Sequence, residues 1–401
     1  MMIMKKPSLL EFFKTALHIG VIGYGGAANL ALMKKKFVHE KEWISEKEFM
    51  DALSLSQILP GSTGVALMGY MGFHLHRARG GILIPLTFIL PATIFMLVLS
   101  WAYFQFGNIS WVQSLFAGLG ALVVALLVNA TRMLGKSVFK KITWQDWKGF
   151  FIALVAFVGM FFLKINVIYL ILAAGVLGFL FYYFTKEFED EKSKKGEAIL
   201  SEPAQTIRMT ARDWLAVAVL GGVVLVGFLL PQVRSLIIVF VTCGLFAFGG
   251  GFTIIPLIQY QVVDAHHWVT LQQFINGIAL GQVTPGPTLI TATFVGYKVM
   301  GVLGALFATL AIFLVPILSM MTLADIHAKI RDLKIVKVVV KGFLAGFIGL
   351  LTAITLQFAF KSLISWQAWV IFVASLVWIM YLKKDSLWAI LGTVALSLLI
   401  F

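Results

Sequence analysis

The chain has 401 residues and a formal charge of +14, with 60% hydrophobic and only 12% charged residues, and a mean hydropathy of +0.95. Soluble domains carry about 25% charged residues, so an ordinary soluble fold is excluded and a polytopic membrane protein is expected. The basic residues sit mainly between apolar runs, as in cytoplasmic loops, so the charge reports topology and no nucleic-acid partner is expected.

In chain order, an apolar stretch at 8–33 is broken by Gly20, Gly23, Gly25 and Gly26 and ends in Lys34, Lys35 and Lys36. A polar segment at 34–48 precedes two short runs, 49–59 and 63–73, separated by Pro60 and Gly61. Neither run reaches the roughly 20 apolar residues that a crossing helix needs. Spans are predicted at 81–106, 110–133, 148–163 and 166–184, and then a charged stretch follows at 186–212. A span at 213–230 has no counterpart at the start of the chain. After it the pattern recurs, with a Gly-broken run at 234–258, a polar segment at 259–273, short runs around Pro285-Gly286, and spans at 301–323, 342–360, 366–382 and 386–401. The expected organisation is a first membrane repeat over 1–186, a charged cytoplasmic linker over 187–212 and a second repeat over 213–401. Pro7, Glu11 and Lys14 interrupt what would be a signal-peptide core after Lys5 and Lys6, so no cleaved leader is expected. Cys243 is the single cysteine, which excludes an internal disulfide and a multi-Cys metal site.

The recurrence is specific. Trp43 and Trp268, Phe49 and Phe274, Gln57 and Gln282, and Pro91 and Pro316 each stand 225 residues apart, and Gly26 and Gly250 stand 224 apart. An ordered series at one offset means duplication. Lys34, Lys35, Lys36, Lys41 and Lys47 occupy 34–48, whereas 259–273 has no lysine. The contrast reverses later, where 107–111 has no Lys or Arg and 325–341 holds Lys329, Arg331, Lys334, Lys337 and Lys341. Equivalent loops therefore lie on opposite sides of the membrane, and the expected fold is all-α, two homologous halves forming an inverted-topology repeat. With lysines at both ends of the first stretch on one side, that stretch must enter and return at its glycines. The Pro-Gly segment is then a second re-entrant hairpin, lying between the 34–48 lysines and Arg77 and Arg79. Lys298 falls on the outer side in this scheme.

Backbone breaks at membrane depth are tolerated only where protein or a wet cavity supplies partners. Pro60 and Pro285 stop a helix because they lack the N–H donor, and Gly61 and Gly286 permit the turn. The restarting helix exposes free N–H groups and about half a positive charge. Ser62, Thr63 and Thr288 could cap that start, and such an end suits an anion. Two ends facing across a pseudo-two-fold axis could hold a dianion with no full charge in the bilayer. Candidate substrate-binding residues are thus Gly25, Gly26, Asn29, Gln57, Pro60, Gly61, Ser62 and Thr63, with Gly249, Gly250, Gly251, Gln282, Pro285, Gly286, Pro287 and Thr288. The glycine clusters would let a second backbone segment approach closely. Lys14, His18 and Asp51 are candidate coupling or charge partners, with interfacial snorkelling or dipole complementation as their plainer roles. His266 and His267 lack further ligands at metal spacing, and no metal or cofactor is expected. Trp43, Trp101, Trp111, Trp144, Trp147, Trp268, Trp366 and Trp369 are expected in an interfacial belt.

These motifs resemble the chromate ion transporter family, in its long form with two fused halves. The resemblance rests on Phe248 to Gly251, Pro256, Gly281 to Pro287, Phe294 to Tyr297 and Phe313 to Pro316, and on Tyr24 to Gly26, Trp43, Ile44, Gln57 to Gly61, Leu90 and Pro91. It implies a multi-pass inner-membrane carrier that exports chromate, with sulfate as the similar dianion. The chain departs from the family pattern at Ala27, Ala28 and Asn29, where a Pro and an Ala-His are common, and at Ser62, where a second Pro is common. These departures leave another small oxyanion open as the substrate. The expected function is secondary active transport by alternating access, without ATP, since no P-loop pattern occurs. An anion channel is the alternative; a membrane-embedded enzyme is disfavoured by the lack of a carboxylate, His or Cys cluster at membrane depth. The expected partners are the oxyanion, the lipid bilayer and, as an option, a second copy in a homodimer.

Overall fold

The computed structural model describes residues 7–139, 147–184, 209–322, 333–382 and 386–401. Lys5, Lys6, Trp144, Lys329, Arg331 and nearly all of the 187–212 linker lie outside them. Among the described residues every regular element is helical.

Helix α1 (Leu9–Ile22) starts at Ser8, whose hydroxyl accepts the Glu11 N–H, and stops at Gly23. The chain turns at Gly25, with φ +79°, into α2 (Gly26–Lys34), which runs on through a π-helical turn at Lys35–Glu40. That it returns to its starting end follows from Lys41 Nζ, 2.9 Å from Glu11 Oε1, and from the Phe12 ring, 5.3 Å from Phe37 and 5.2 Å from Trp43. Helix α3 (Glu46–Ile58) then enters, its start fixed by a Ser45–Glu48 capping box. Beyond the break comes α4 (Thr63–Phe106). His74 Nε2 lies 3.8 Å from Glu48 Oε1, so the second hairpin also closes on the end where it began. Both expected re-entrant hairpins are present.

Helix α4 is two helices back to back. His76 and Arg77 leave helical geometry, Arg77 at φ +59° and ψ −152°, and a Cβ on Gly72 would lie 2.3 Å from the Gly80 carbonyl oxygen. Eight residues of straight helix would separate those glycines by about 12 Å, so the chain reverses at 76–77. Residues 78–106 form the crossing leg. Helix α5 (Ser110–Val138) follows it. Then α6 (Trp147–Phe161) and α7 (Val167–Tyr182) pair as a hairpin, joined where Lys148 Nζ donates to the Phe181 carbonyl at 3.0 Å.

Helix α8 (Ala211–Gly227) is the span without a counterpart. Its buried Asp213 accepts from the Arg77 guanidinium and from the Ala78 N–H, so α8 starts at the face where Arg77 lies. Its 17 residues extend about 25 Å, enough to carry the chain toward the opposite face. There the pattern repeats with α9 (Pro231–Leu245), α10 (Ile255–Gln259), a π-helical turn at Tyr260–Ala265 and α11 (Leu271–Val283). After the second break, α12 (Thr291–Thr322) reverses at Met300–Gly301 as α4 does at 76–77, and α13 (Lys334–Ser362), α14 (Trp366–Met380) and α15 (Ser386–Ile400) complete the repeat. Among the described residues four helices are long and apolar enough to cross a membrane; in two of them, α4 and α12, the bend leaves the second leg to do so.

Inversion is visible along the crossing leg of α4. One end lies beside Glu48 and His74. At the other end Asn276 Nδ2 donates to the Tyr103 hydroxyl at 3.0 Å, the Phe104 ring is 4.9 Å from Phe294, and Lys298 Nζ sits 5.0 Å over that ring. Residues 78 and 104 are about 39 Å apart along the axis, so the hairpins of the two repeats enter from opposite faces. Lys298 is thus at the end opposite Glu48 and His74, held by a cation–π contact.

Two expectations need correction. The polar segments 34–48 and 259–273 are not loops throughout: each begins as a π-helical continuation of the returning arm. Trp43 is not in an interfacial belt, because it is 3% exposed and packs between Phe12 and Phe37; Trp101, Trp111, Trp147, Trp366 and Trp369 are exposed as a belt requires.

Candidate functional site

The four hairpin tips meet, and they exchange backbone bonds between the repeats. Gly286 N–H donates to the Gly23 carbonyl at 2.7 Å, and Gly61 N–H donates to the Ala247 carbonyl at 2.8 Å. Gly23 and Ala247 are equivalent positions, so the two bonds are one contact made twice across the pseudo-two-fold axis. Tyr24 and Gly286 form an isolated parallel bridge, a strand-like pairing where two broken helices cross. Each break therefore satisfies the exposed backbone of the other repeat, which is what a break at membrane depth requires.

The backbone geometry is duplicated closely. Gly61 has φ +108° and Gly286 φ +109°, and Gly25 and Gly249 have φ +79° and +81°. Each break also fits against the other repeat's proline region. A Cβ on Gly61 would lie 2.6 Å from Pro316 Cβ, and one on Gly286 would lie 2.8 Å from Ala92 Cβ, next to Pro91. The close backbone approach falls to Gly23, Gly61 and Gly286. Gly26 and Gly250 do not take this role, since a Cβ at either would meet nothing within 4 Å; they face open space beside the crossing. Gly251 packs on Thr288, its ideal Cβ 2.9 Å from Thr288 Oγ1.

Side chains complete the crossing unequally. Asn29, 2% exposed, donates from Nδ2 to the Gly286 carbonyl at 3.2 Å and so ties the two repeats, while its Oδ1 is buried with no partner. The equivalent Thr253 serves its own loop, with Oγ1 2.5 Å from the Phe248 carbonyl and 2.7 Å from that of Gly250. Thr253, absent from the sequence candidates, was detectable only by aligning the repeats at the 224 offset. Ser62 stands at the start of α4 without a side-chain cap, and Thr288 starts a 3-10 turn, Thr288–Ile290, after the N-cap Pro287. The expected hydroxyl cap at Ser62 is thus not made, and the helix start keeps its donors for another partner. Gln282 Nε2 is buried and unpartnered.

Other candidates are exposed or set back from the crossing. Gln57, Lys14 and His18 are exposed, and Asp51 sits eight residues before Leu59, about 12 Å down α3. Among the described residues the only buried carboxylate is Asp213, beside Arg77, and no Lys, Arg or His is buried. The crossing therefore presents helix ends and amide and hydroxyl groups, with no formal charge.

Comparison with known proteins gives this geometry a context. A family model described as chromate transporter matches residues 10–179 and, separately, 234–398. An uncharacterized transporter of Methanocaldococcus jannaschii is 31% identical over 98% of this chain and 95% of its own. A chromate transport protein of Cupriavidus metallidurans is 31% identical over 92% of this chain and 87% of its own. An uncharacterized transporter of Bacillus subtilis aligns at 27% identity with 44% of this chain and 90% of its own. No solved structure matches. With both halves matched and two relatives of nearly full coverage, this multi-pass membrane chain belongs to the chromate transporter family.

Proposed function

We propose that the protein is a secondary active transporter that moves chromate, and sulfate as the similar dianion, across the cell's inner membrane by alternating access around the tip crossing. The units that move are the repeats 1–186 and 213–401, joined by the linker 187–212. One observation carries the reading: the reciprocal bonds Gly286–Gly23 and Gly61–Ala247 bring four returning helix starts together at mid-depth with no basic side chain. Discontinuous helices at a repeat interface are where carriers hold substrate. The N–H groups of the returning arms favour an anion, and the open space at Gly26 and Gly250 leaves it room. An anion held by helix ends alone is bound without a buried counter-charge, so it can leave as readily as it enters.

The test is uptake of radiolabelled sulfate into proteoliposomes, competed by chromate, molybdate, phosphate and chloride, with and without a pH gradient. Saturable uptake with counterflow, competed first by chromate, is expected. Uptake that never saturates would make the protein a channel, and no transport of any dianion would end the reading. Binding to folded protein carrying Gly61→Leu and Gly286→Leu should be lost; unchanged binding would place the site elsewhere.

A further inference from the structure

A cavity of about 420 Å³ opens at the outer mouth of the second-repeat hairpin, among Tyr103 of α4, Gln113 of α5, Gln272 and Asn276 of α11, and Lys361 and Ser362 of α13. It lies well away from the crossing. Tyr103 is 11 residues beyond Ala92 and Asn276 nine before Pro285, so about 13–17 Å of helix separates the two places.

The chemistry of the lining is one-sided. No Asp or Glu lines the cavity. Lys361 contributes an ammonium that forms no ion pair among the described residues. Gln272 Nε2 donates to Asn276 Oδ1 at 3.1 Å, and Asn276 Nδ2 donates to the Tyr103 hydroxyl at 3.0 Å. The tyrosine oxygen thus accepts within the chain of amides and keeps its own proton to donate. Ser362 Oγ is buried without a partner, against Gly120.

The inner mouth gives the contrast. At the 225 offset the equivalents of Gln272, Asn276 and Lys361 there are Lys47, Asp51 and Lys136. A lysine stands at both mouths, but the carboxylate of Asp51 at the inner one is the amide of Asn276 at the outer. The duplicated backbone does not demand this difference.

We propose that the outer cavity is a binding vestibule for a tetrahedral oxyanion, sulfate- or phosphate-like, with Lys361 supplying the charge and the Tyr103 hydroxyl and the amides the orientation. Placed on the path to the crossing, it rests on the transport reading above. As a binding site it does not. The same chemistry would accept a free dianion or the phosphate of a lipid headgroup, whose acyl chains Phe116 and Ile364 could meet.

The experiment compares wild type, Lys361→Gln, Lys361→Arg and Asn276→Asp in proteoliposomes of known orientation. Lys361→Gln is expected to raise KM for sulfate presented at the outer face about three- to fivefold, the size an exposed charge contact supports. KM at the inner face and kcat should stay unchanged, Lys361→Arg should keep most of the effect, and Asn276→Asp should raise the outer KM further. Equilibrium dialysis of labelled sulfate against detergent-purified protein reads binding without transport and should lose its weaker class of sites in Lys361→Gln. For the lipid source, bound phospholipid is counted by mass spectrometry. Phospholipid retained by wild type and lost in Lys361→Gln, with sulfate binding unchanged, assigns the site to a headgroup and supports the same chemistry. Unaltered outer KM, sulfate binding and phospholipid content in both Lys361→Gln and Asn276→Asp overturn the proposal. Absence of any transport, with the dialysis difference intact, would remove the transport reading and leave the vestibule.

Discussion

Gly61 and Gly286 hold the same backbone angle and donate to equivalent carbonyls, yet their settings differ. Pro285, Gly286 and Pro287 are buried, whereas Pro60 and Ser62 are partly exposed and Gln57 is exposed. Asn29 reaches across to Gly286, and its equivalent Thr253 bonds only within its own loop. Duplication thus preserved the part on which each half depends for its backbone hydrogen bonds, and left the side chains around it free to diverge. The second break is the packed, rigid partner. The first is the open one, and it carries the differences from the family pattern.

The largest effects should come from filling the shared backbone contact. At Gly61 an alanine faces a positive φ, at a cost of about 1–3 kcal/mol, and three atoms of the Pro316 ring at 2.6–2.8 Å, an overpacking of about 1–3 kcal/mol more. At Gly286 the angle is the same, but the only contact within 4 Å is Ala92 Cβ at 2.8 Å. Gly61→Ala should therefore abolish transport and lower the thermal midpoint more than Gly286→Ala. Thermal unfolding in one detergent together with sulfate uptake checks the order, and a larger loss at Gly286 would mean that the general packing of the second break, rather than the Pro316 contact at Gly61, sets the cost.

A smaller separation is expected at the side chains. Asn29→Asp replaces the donor to the Gly286 carbonyl with an acceptor at a 2% exposed position, leaving a buried carbonyl unpaired and an acid without a partner, at about 3 kcal/mol or more. Thr253→Val removes a bond within one loop and should cost about 1 kcal/mol. Uptake and unfolding midpoints of the two variants, measured side by side, test whether the repeats are tied from the first half only. Equal losses would mean that Thr253 also holds the interface.

Much of this fold was legible because duplication writes itself into order and spacing. The repeated Pro-Gly breaks and the reversed lysines together predicted two inverted repeats with re-entrant hairpins. The bonding partners were not legible. Gly23 carries the cross-repeat bond, rather than its more conspicuous neighbours Gly25 and Gly26, because the carbonyl that accepts belongs to the residue that caps the end of α1. Periodicity says where a helix stops, not which of its final carbonyls faces a segment 263 residues away. Nor could composition show that Trp43 is buried, since its partners Phe12 and Phe37 meet it only once the first hairpin closes.

The subtlest comparison is at Ser62, where the equivalent residue is Pro287. Ser62 has φ −73° and ψ 117°, and Pro287 has φ −79° and ψ 140°, so proline's fixed φ near −65° already fits the serine position. The residue before a proline is restricted, but Gly286 precedes Pro287 at φ +109° and Gly61 stands at +108°, so the second repeat has solved the same constraint with the same geometry. Ser62 also makes no side-chain cap that the change would remove. Ser62→Pro should therefore fold and gain about 0.4–1 kcal/mol from a stiffer unfolded chain, seen as a small rise in unfolding midpoint. Its informative readout is competition. If the first break sets substrate preference, making it resemble the second should shift the chromate-to-sulfate inhibition ratio in uptake, whereas a stabilised protein with an unchanged ratio would assign preference to Asn29 and the open space at Gly26 instead.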